Sequence, residues 1–204
     1  MRRKQKQSGF TLMEILIALG IFAMLALSVS WILIHSLRSN AVIWDQLQTQ
    51  NDGRRALQEM VDDIRRAESS SLGDFSLYNV EEDDLIFYAN IDSDTLRERV
   101  HYWLEGTTLN KGVVKPSGNP LAYDTGSETV TEIAHDVVNT SEDVSLFLYY
   151  DQDFTGTEDE LEQPVDTAEV NVIKIQLELE SDPDKTPVPL HVESTVQVRN
   201  LKTN

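Results

Sequence analysis

The sequence predicts an α+β protein in which one long N-terminal helix, apolar in its first half and amphipathic in its second, packs on an antiparallel β-sheet domain. Three observations carry this. Residues 10–37 form an almost unbroken apolar run. Apolar residues then recur at spacings of three and four, or multiples of them, as far as Ala67. From Phe75 onward the apolar period changes to two. The expected divisions are a basic leader at 1–9, a membrane-crossing helix at 10–37, its amphipathic continuation at 38–71, and a β-rich domain at 72–204.

The apolar run of 28 residues reaches about 42 Å as a helix, enough to cross a bilayer with some tilt. Four basic residues, Arg2, Arg3, Lys4 and Lys6, precede it, and only Arg38 follows at once. The positive-inside rule therefore predicts a cytoplasmic leader and an exported domain. Trp31 and Trp44 bracket the outer end as an interfacial belt would. A carboxylate, Glu14, stands near the start of the run. Such a charge costs roughly 2.5–3.5 kcal/mol in lipid even on lenient insertion scales, so it calls for a role and a partner.

The 204-residue chain carries a formal charge of −18. The leader holds four of the 17 basic residues and no acidic one, so the rest sets 13 basic against 35 acidic residues, a balance of −22. That excess repels nucleic acid and anionic lipid and suits divalent cations or basic protein surfaces. Simple solubility accounts for most of these carboxylates. There is no cysteine, which excludes disulfides and thiolate metal sites.

Three readings of the N-terminus compete. A cleaved secretory signal could end near Ala26-Leu27-Ser28, but the apolar run continues through Trp31-Ile32-Leu33-Ile34, which such a signal does not need. A plain signal anchor leaves Glu14 unexplained. The stretch Gly9-Phe10-Thr11-Leu12-Met13-Glu14, after a basic leader and before a long apolar helix, resembles the prepilin signal of type IV pilins and type II secretion pseudopilins. The resemblance implies cleavage after Gly9 by a membrane prepilin peptidase and methylation of the new amine at Phe10. It also implies an assembly role for Glu14, one helical turn beyond Phe10, paired with the amine of a neighbouring subunit. Pairing removes both charges from lipid together and sets axial register. The partners implied are other minor and major pilins or pseudopilins and an inner-membrane assembly platform. Many main pilins carry a proline well inside this helix; here 10–37 has none, which points to a minor subunit. The chain length, bulky anchor, Val100-His101-Tyr102-Trp103-Leu104, Tyr149-Tyr150-Asp151 and Val198-Arg199-Asn200 are most similar to J-type minor pseudopilins and W-type minor pilins.

Beyond the membrane, Ile43, Leu47, Leu57, Met60, Val61, Ile64 and Ala67 define one helical stripe. Asp62 and Asp63 precede Arg65 and Arg66 and offer ion pairs on the outer face. Gly53 marks a kink or a close contact. Ser69-Ser70-Ser71-Leu72-Gly73 reads as the stop. Strands are expected at 84–88, 99–104, 144–150, 170–179 and 190–198, the last two as a hairpin turning at Ser181-Asp182-Pro183-Asp184. Residues 115–128, rich in Gly, Pro and Ser, read as an irregular loop.

Residues 151–162 follow the spacing of a calcium loop. Asp151, Asp153, Thr155, Asp159 and Glu162 would give side-chain oxygens, Thr157 a carbonyl, and Gly156 the tight turn. Thr155 replaces the usual Asp or Asn, Glu158 stands where an apolar residue normally packs, and the flanks are strands. An acidic, solvated hairpin loop is the alternative. The four histidines are scattered and form no zinc pair, and His101 reads as a half-buried sheet residue. No G-x-S-x-G elbow, P-loop or dinucleotide fingerprint occurs, and no enzyme is expected. Asn139-Thr140-Ser141 matches a glycosylation sequon, discounted because a prepilin signal implies a prokaryotic host.

The reading is a minor pilin or pseudopilin at the tip of a type IV pilus or type II secretion pseudopilus. The alternative is a membrane-tethered calcium-binding or adhesive module that uses the helix only as an anchor.

Overall fold

A computed structural model describes residues 11–92, 94–180 and 189–198, with the backbone alone at 38–43 and 45. The first helix, α1, runs Leu12–Arg65. The chain divides into two compact units, Met1–Trp44 and Asp45–Asn204, and α1 contributes to both. In the first unit, Leu12–Leu37 is a helix of 26 residues, long and apolar enough to cross a membrane.

In the second unit, the end of α1 buries Ala56, Leu57, Met60, Val61 and Ile64. The three-to-four spacing places them on one face. Ile43, expected in the same stripe, lies outside the described side chains, and Leu47 is exposed. Asp62 forms the anticipated outer pair with Arg65 at 3.5 Å. Asp63 does not: it turns inward and is only 6% exposed.

The sheets are β1 (Leu77–Val80), β2 (Asp84–Ala89), β3 (Glu98–Glu105), β4 (Thr108–Val114) and β5 (Thr129–Ala134), paired in sequence order, then β6 (Phe147–Tyr150), β7 (Val172–Leu179) and β8 (Leu190–Gln197). All pairings are antiparallel. Alternation decides the faces. Val100 and Tyr102 on β3 point into the core, as do Ile173, Ile175, Leu177 and Leu179 on β7. The β7–β8 hairpin forms as expected, with Leu179 opposite Leu190, while the turn residues Ser181, Asp182, Pro183 and Asp184 lie outside the described residues.

β2 also ends α1 earlier than the serine run suggests. The last turn tightens, with Arg66 N–H on Asp63 C=O and Ala67 N–H on Ile64 C=O, both 3.0 Å. Ala67 then bridges Ala89, and Glu68 N–H donates to Tyr88 C=O at 2.9 Å. Ser70 shapes the following turn by accepting from Leu72 N–H at 3.1 Å and Asp74 N–H at 2.9 Å.

The two sheets are joined through the β1–β2 turn. Phe147 N–H donates to Glu82 C=O at 2.8 Å, Leu146 N–H to Asp83 Oδ1 at 3.1 Å, and Tyr149 Oη to Glu81 C=O at 2.6 Å. A short helix, α2 (Asn139–Glu142), places the fully buried Asn139 amide between Val144 C=O, Gln176 C=O and Glu178 N–H. Every one of those groups needs this partner, so the sequon asparagine is a structural bridge.

Gly53 marks a close contact. A Cβ there would stand 2.1 Å from Leu179 Cδ1, and Leu179 is itself buried on β7. Alanine would add about 1 kcal/mol of helix propensity but force overpacking that costs about 1–3 kcal/mol. Gly53→Ala is therefore expected to lower the melting temperature by roughly 2–4 °C; a rise on thermal unfolding would contradict the contact.

Candidate functional site

The N-terminal unit is built around an unusual surface. From Leu12 (80% exposed) to Leu37 (62% exposed), the large apolar side chains of this helix are all more than half exposed. Over that span Glu14 is the single formally charged residue. Helices meet the demand of lipid because every interior backbone group is satisfied within the segment. Ser28 keeps to this rule, its Oγ donating to Met24 C=O at 2.8 Å.

Glu14 lies in the first turn of α1. Its backbone N–H donates to Thr11 Oγ1 at 3.3 Å and to Thr11 C=O at 3.1 Å, and Ile15 N–H reaches Thr11 C=O at 3.2 Å. Thr11 therefore caps the helix, and Thr11-Leu12-Met13-Glu14 has the spacing of a capping box. The sequence reading did not use that signature. A carboxylate in the first turn also complements the positive end of the helix dipole. Glu14 is thus held in the first turn of α1 by ordinary helix chemistry. Gly9 and Phe10 lie outside the described residues.

The 151–162 loop carries internal hydrogen bonds of its own. Glu158, the residue that broke the expected pattern, organises it. One carboxylate oxygen accepts from the N–H groups of Thr155 (2.6 Å), Gly156 (2.9 Å) and Thr157 (3.1 Å), and the other accepts from Thr155 Oγ1. These bonds, the Thr155 hydroxyl first, lower the Glu158 carboxyl to about 2. Gly156 sits at φ +114°, where a side chain would be strained. Asp151 accepts from Asp153 N–H at 2.9 Å. Among the described residues, the acidic oxygens gathered within 4.8 Å of one another belong to Asp92, Asp94 and Glu98. Glu158→Ala would free three loop N–H groups, and limited proteolysis should then cut this loop severalfold faster; unchanged cleavage would show that Glu158 does not hold it.

Two of the histidines serve the sheets. His101 on β3 is half-buried, with Nε2 2.8 Å from Asp84 and Nδ1 3.3 Å from Glu128, and it stacks on Trp103. His191 on β8 bonds Glu178 at 2.5 Å and Glu193 at 3.2 Å. The Glu178 bond chiefly raises its pKa above the usual histidine value. The His101–Asp84 and His191–Glu178 contacts each join neighbouring strands.

One family description, the prokaryotic N-terminal methylation motif, matches residues 4–30. No curated protein matches the chain. The matched stretch covers the basic leader, Gly9, Phe10, the Thr11 cap, Glu14 and the first half of the exposed apolar helix. Residues 4–30 are a prepilin-type N-terminal signal on a single-pass membrane anchor, and they support a type IV pilin-like or pseudopilin subunit.

Proposed function

We propose that this chain is a minor pilin or pseudopilin without catalytic activity of its own. The observation that carries the reading is a lone carboxylate, Glu14, fixed in the first turn of a helix whose apolar side chains stay exposed from Leu12 to Leu37. The basic leader stays in the cytoplasm and the acidic domain is exported. The prepilin peptidase cuts after Gly9 and methylates Phe10. On assembly, neighbouring apolar helices cover Leu12–Leu37, and Glu14 meets the cationic amine of another subunit. The lack of proline in 10–37 and the irregular, acidic domain favour a place among minor subunits at the filament tip over the repeating shaft.

The lack of cysteine gives a clean test. Phe75 is 77% exposed, so Phe75→Cys can be labelled with a membrane-impermeant maleimide on intact cells. The expected result is labelling from outside, with the label at the ends of sheared filaments. Label along the whole shaft would contradict the minor role, and a chain labelled only after lysis would contradict the orientation.

A further inference from the structure

We propose that the β2–β3 hairpin end is a calcium site formed by Asp92, Asp94 and Glu98. Glu98 opens β3 opposite Ala89, the last residue of β2, and Asp92 and Asp94 lie on the connection between them. One carboxylate oxygen from each lies within 4.8 Å of the others. The loop is fixed by its own bonds: Ile91 N–H to Glu98 Oε2 at 3.0 Å, Asp94 N–H to Asp92 Oδ1 at 3.1 Å, and Leu96 N–H to Asp94 Oδ1 at 2.6 Å.

A gathering of acids is common on a protein this acidic, and by itself it says little. Glu98 is the independent observation. It is only 2% exposed, and its Oε1 is buried with no hydrogen-bond partner among the described residues. An unpartnered buried carboxylate oxygen is costly, and native structures resolve such a group with a water or an ion.

Lys115 answers part of the charge. Its ammonium lies 2.6 Å from Asp92 and 2.5 Å from Asp94, and its side chain is half exposed. No ion pair links it to Glu98 among the described residues. Three carboxylates and one ammonium leave a balance of −2, the complement of a divalent cation. All donors are hard oxygens, which select Ca²⁺ or Mg²⁺ over transition metals. Ca²⁺ takes several carboxylates and tolerates irregular geometry, whereas Mg²⁺ demands a near-perfect octahedron and gives up its waters reluctantly. Calcium therefore suits three carboxylates on an irregular loop, with water completing its shell. Its arrival would displace the Lys115 ammonium, so affinity falls in the weak range of exported calcium modules, about 10⁻⁴–10⁻³ M.

The test uses the full chain in detergent, stripped with chelator and titrated with CaCl₂ by calorimetry. Exposed positions are chosen for substitution so that folding is retained, as checked by melting without calcium. Binding should be saturable and should weaken by about tenfold or more in Asp92→Asn and Asp94→Asn, at least what loss of an outer-sphere partner costs a metal site. Lys115→Met removes the competing ammonium and should tighten binding severalfold. Asp151→Asn with Asp159→Asn should leave the affinity unchanged. The site is overturned by no saturable heat, by unchanged affinity in both hairpin variants, by weaker binding in Lys115→Met, or by loss of binding in the 151–159 pair.

Discussion

Glu14→Ala is expected to remove the chain from filaments while leaving its exported domain folded. The substitution leaves the apolar helix more apolar, so insertion is not impaired. What changes is assembly. A neighbouring subunit's amine, brought to the level of residue 14, would find no anion and would have to lose its water without compensation. Breaking a buried pair by removing one partner costs about 3–5 kcal/mol, and each 1.4 kcal/mol is about tenfold in the equilibrium. Filament content should therefore fall by about a hundredfold or more, read by quantitative blotting of sheared filaments against the membrane pool. Glu14→Gln should fail nearly as badly, because it keeps the size and loses the charge. Normal incorporation of the alanine variant would sink the pairing account, whatever else the helix does.

Lys111→Met should destabilise the β-domain more than any exposed substitution. Lys111 on β4 reaches across to α1, where its ammonium lies 2.6 Å from both Glu59 and Asp63. Asp63 also accepts from Tyr102 Oη at 2.8 Å. The Lys111 and Asp63 side chains are only 12% and 8% exposed, so their charges are screened little by water. Burial pushes the Tyr102 hydroxyl far above its usual range, with Asp63 adding to the effect; the tyrosine stays a donor. Burial alone would lower Lys111, but the bonds to Asp63 and Glu59 outweigh it and raise its pKa. A raised lysine contributes its stability below the unfolded value of about 10.4 and loses it only as pH climbs through the folded value. The network is therefore intact at neutral pH. Methionine keeps the bulk and strands the Asp63 charge, at a cost of about 3–5 kcal/mol and roughly 10 °C in melting temperature. Adding Asp63→Leu should recover part of the loss, since the stranded charge is gone and the orphaned Tyr102 hydroxyl remains. A single variant that melts within roughly 2 °C of the parent, under about 1 kcal/mol, would show that the network does not hold helix to sheet.

How far this was legible depends on what each residue displays along the chain. Glu14 stands out because a carboxylate inside an apolar run is costly wherever it occurs. Strands β3 and β7 were readable because burial alternates along them, β8 because half-buried and exposed residues alternate, and β2 because it is a continuous apolar run buried at nearly every position. β4 was not, because Asn110, Lys111 and Gly112 interrupt the pattern. Lys111 faces a helix instead of water, and Gly112 is small because Glu128 lies where its Cβ would be. β5 was hidden for the opposite reason: as an edge strand it is exposed along most of its length. Asp63 was assigned to the outer face because helical spacing shows which residues share a face with Arg66 but not what lies opposite. Residues 151–162 match a ligand spacing, and spacing does not show that Glu158 also accepts from three of the loop's N–H groups. The acids at 92, 94 and 98 escaped notice because the hairpin, not the sequence order, brings them together.

The most direct test of the prepilin reading is the intact mass of the protein from its native membranes. The account predicts a chain that begins at Phe10 and carries one methyl group on its amine. A chain that begins at Met1, or one that begins after Ser28, would contradict it.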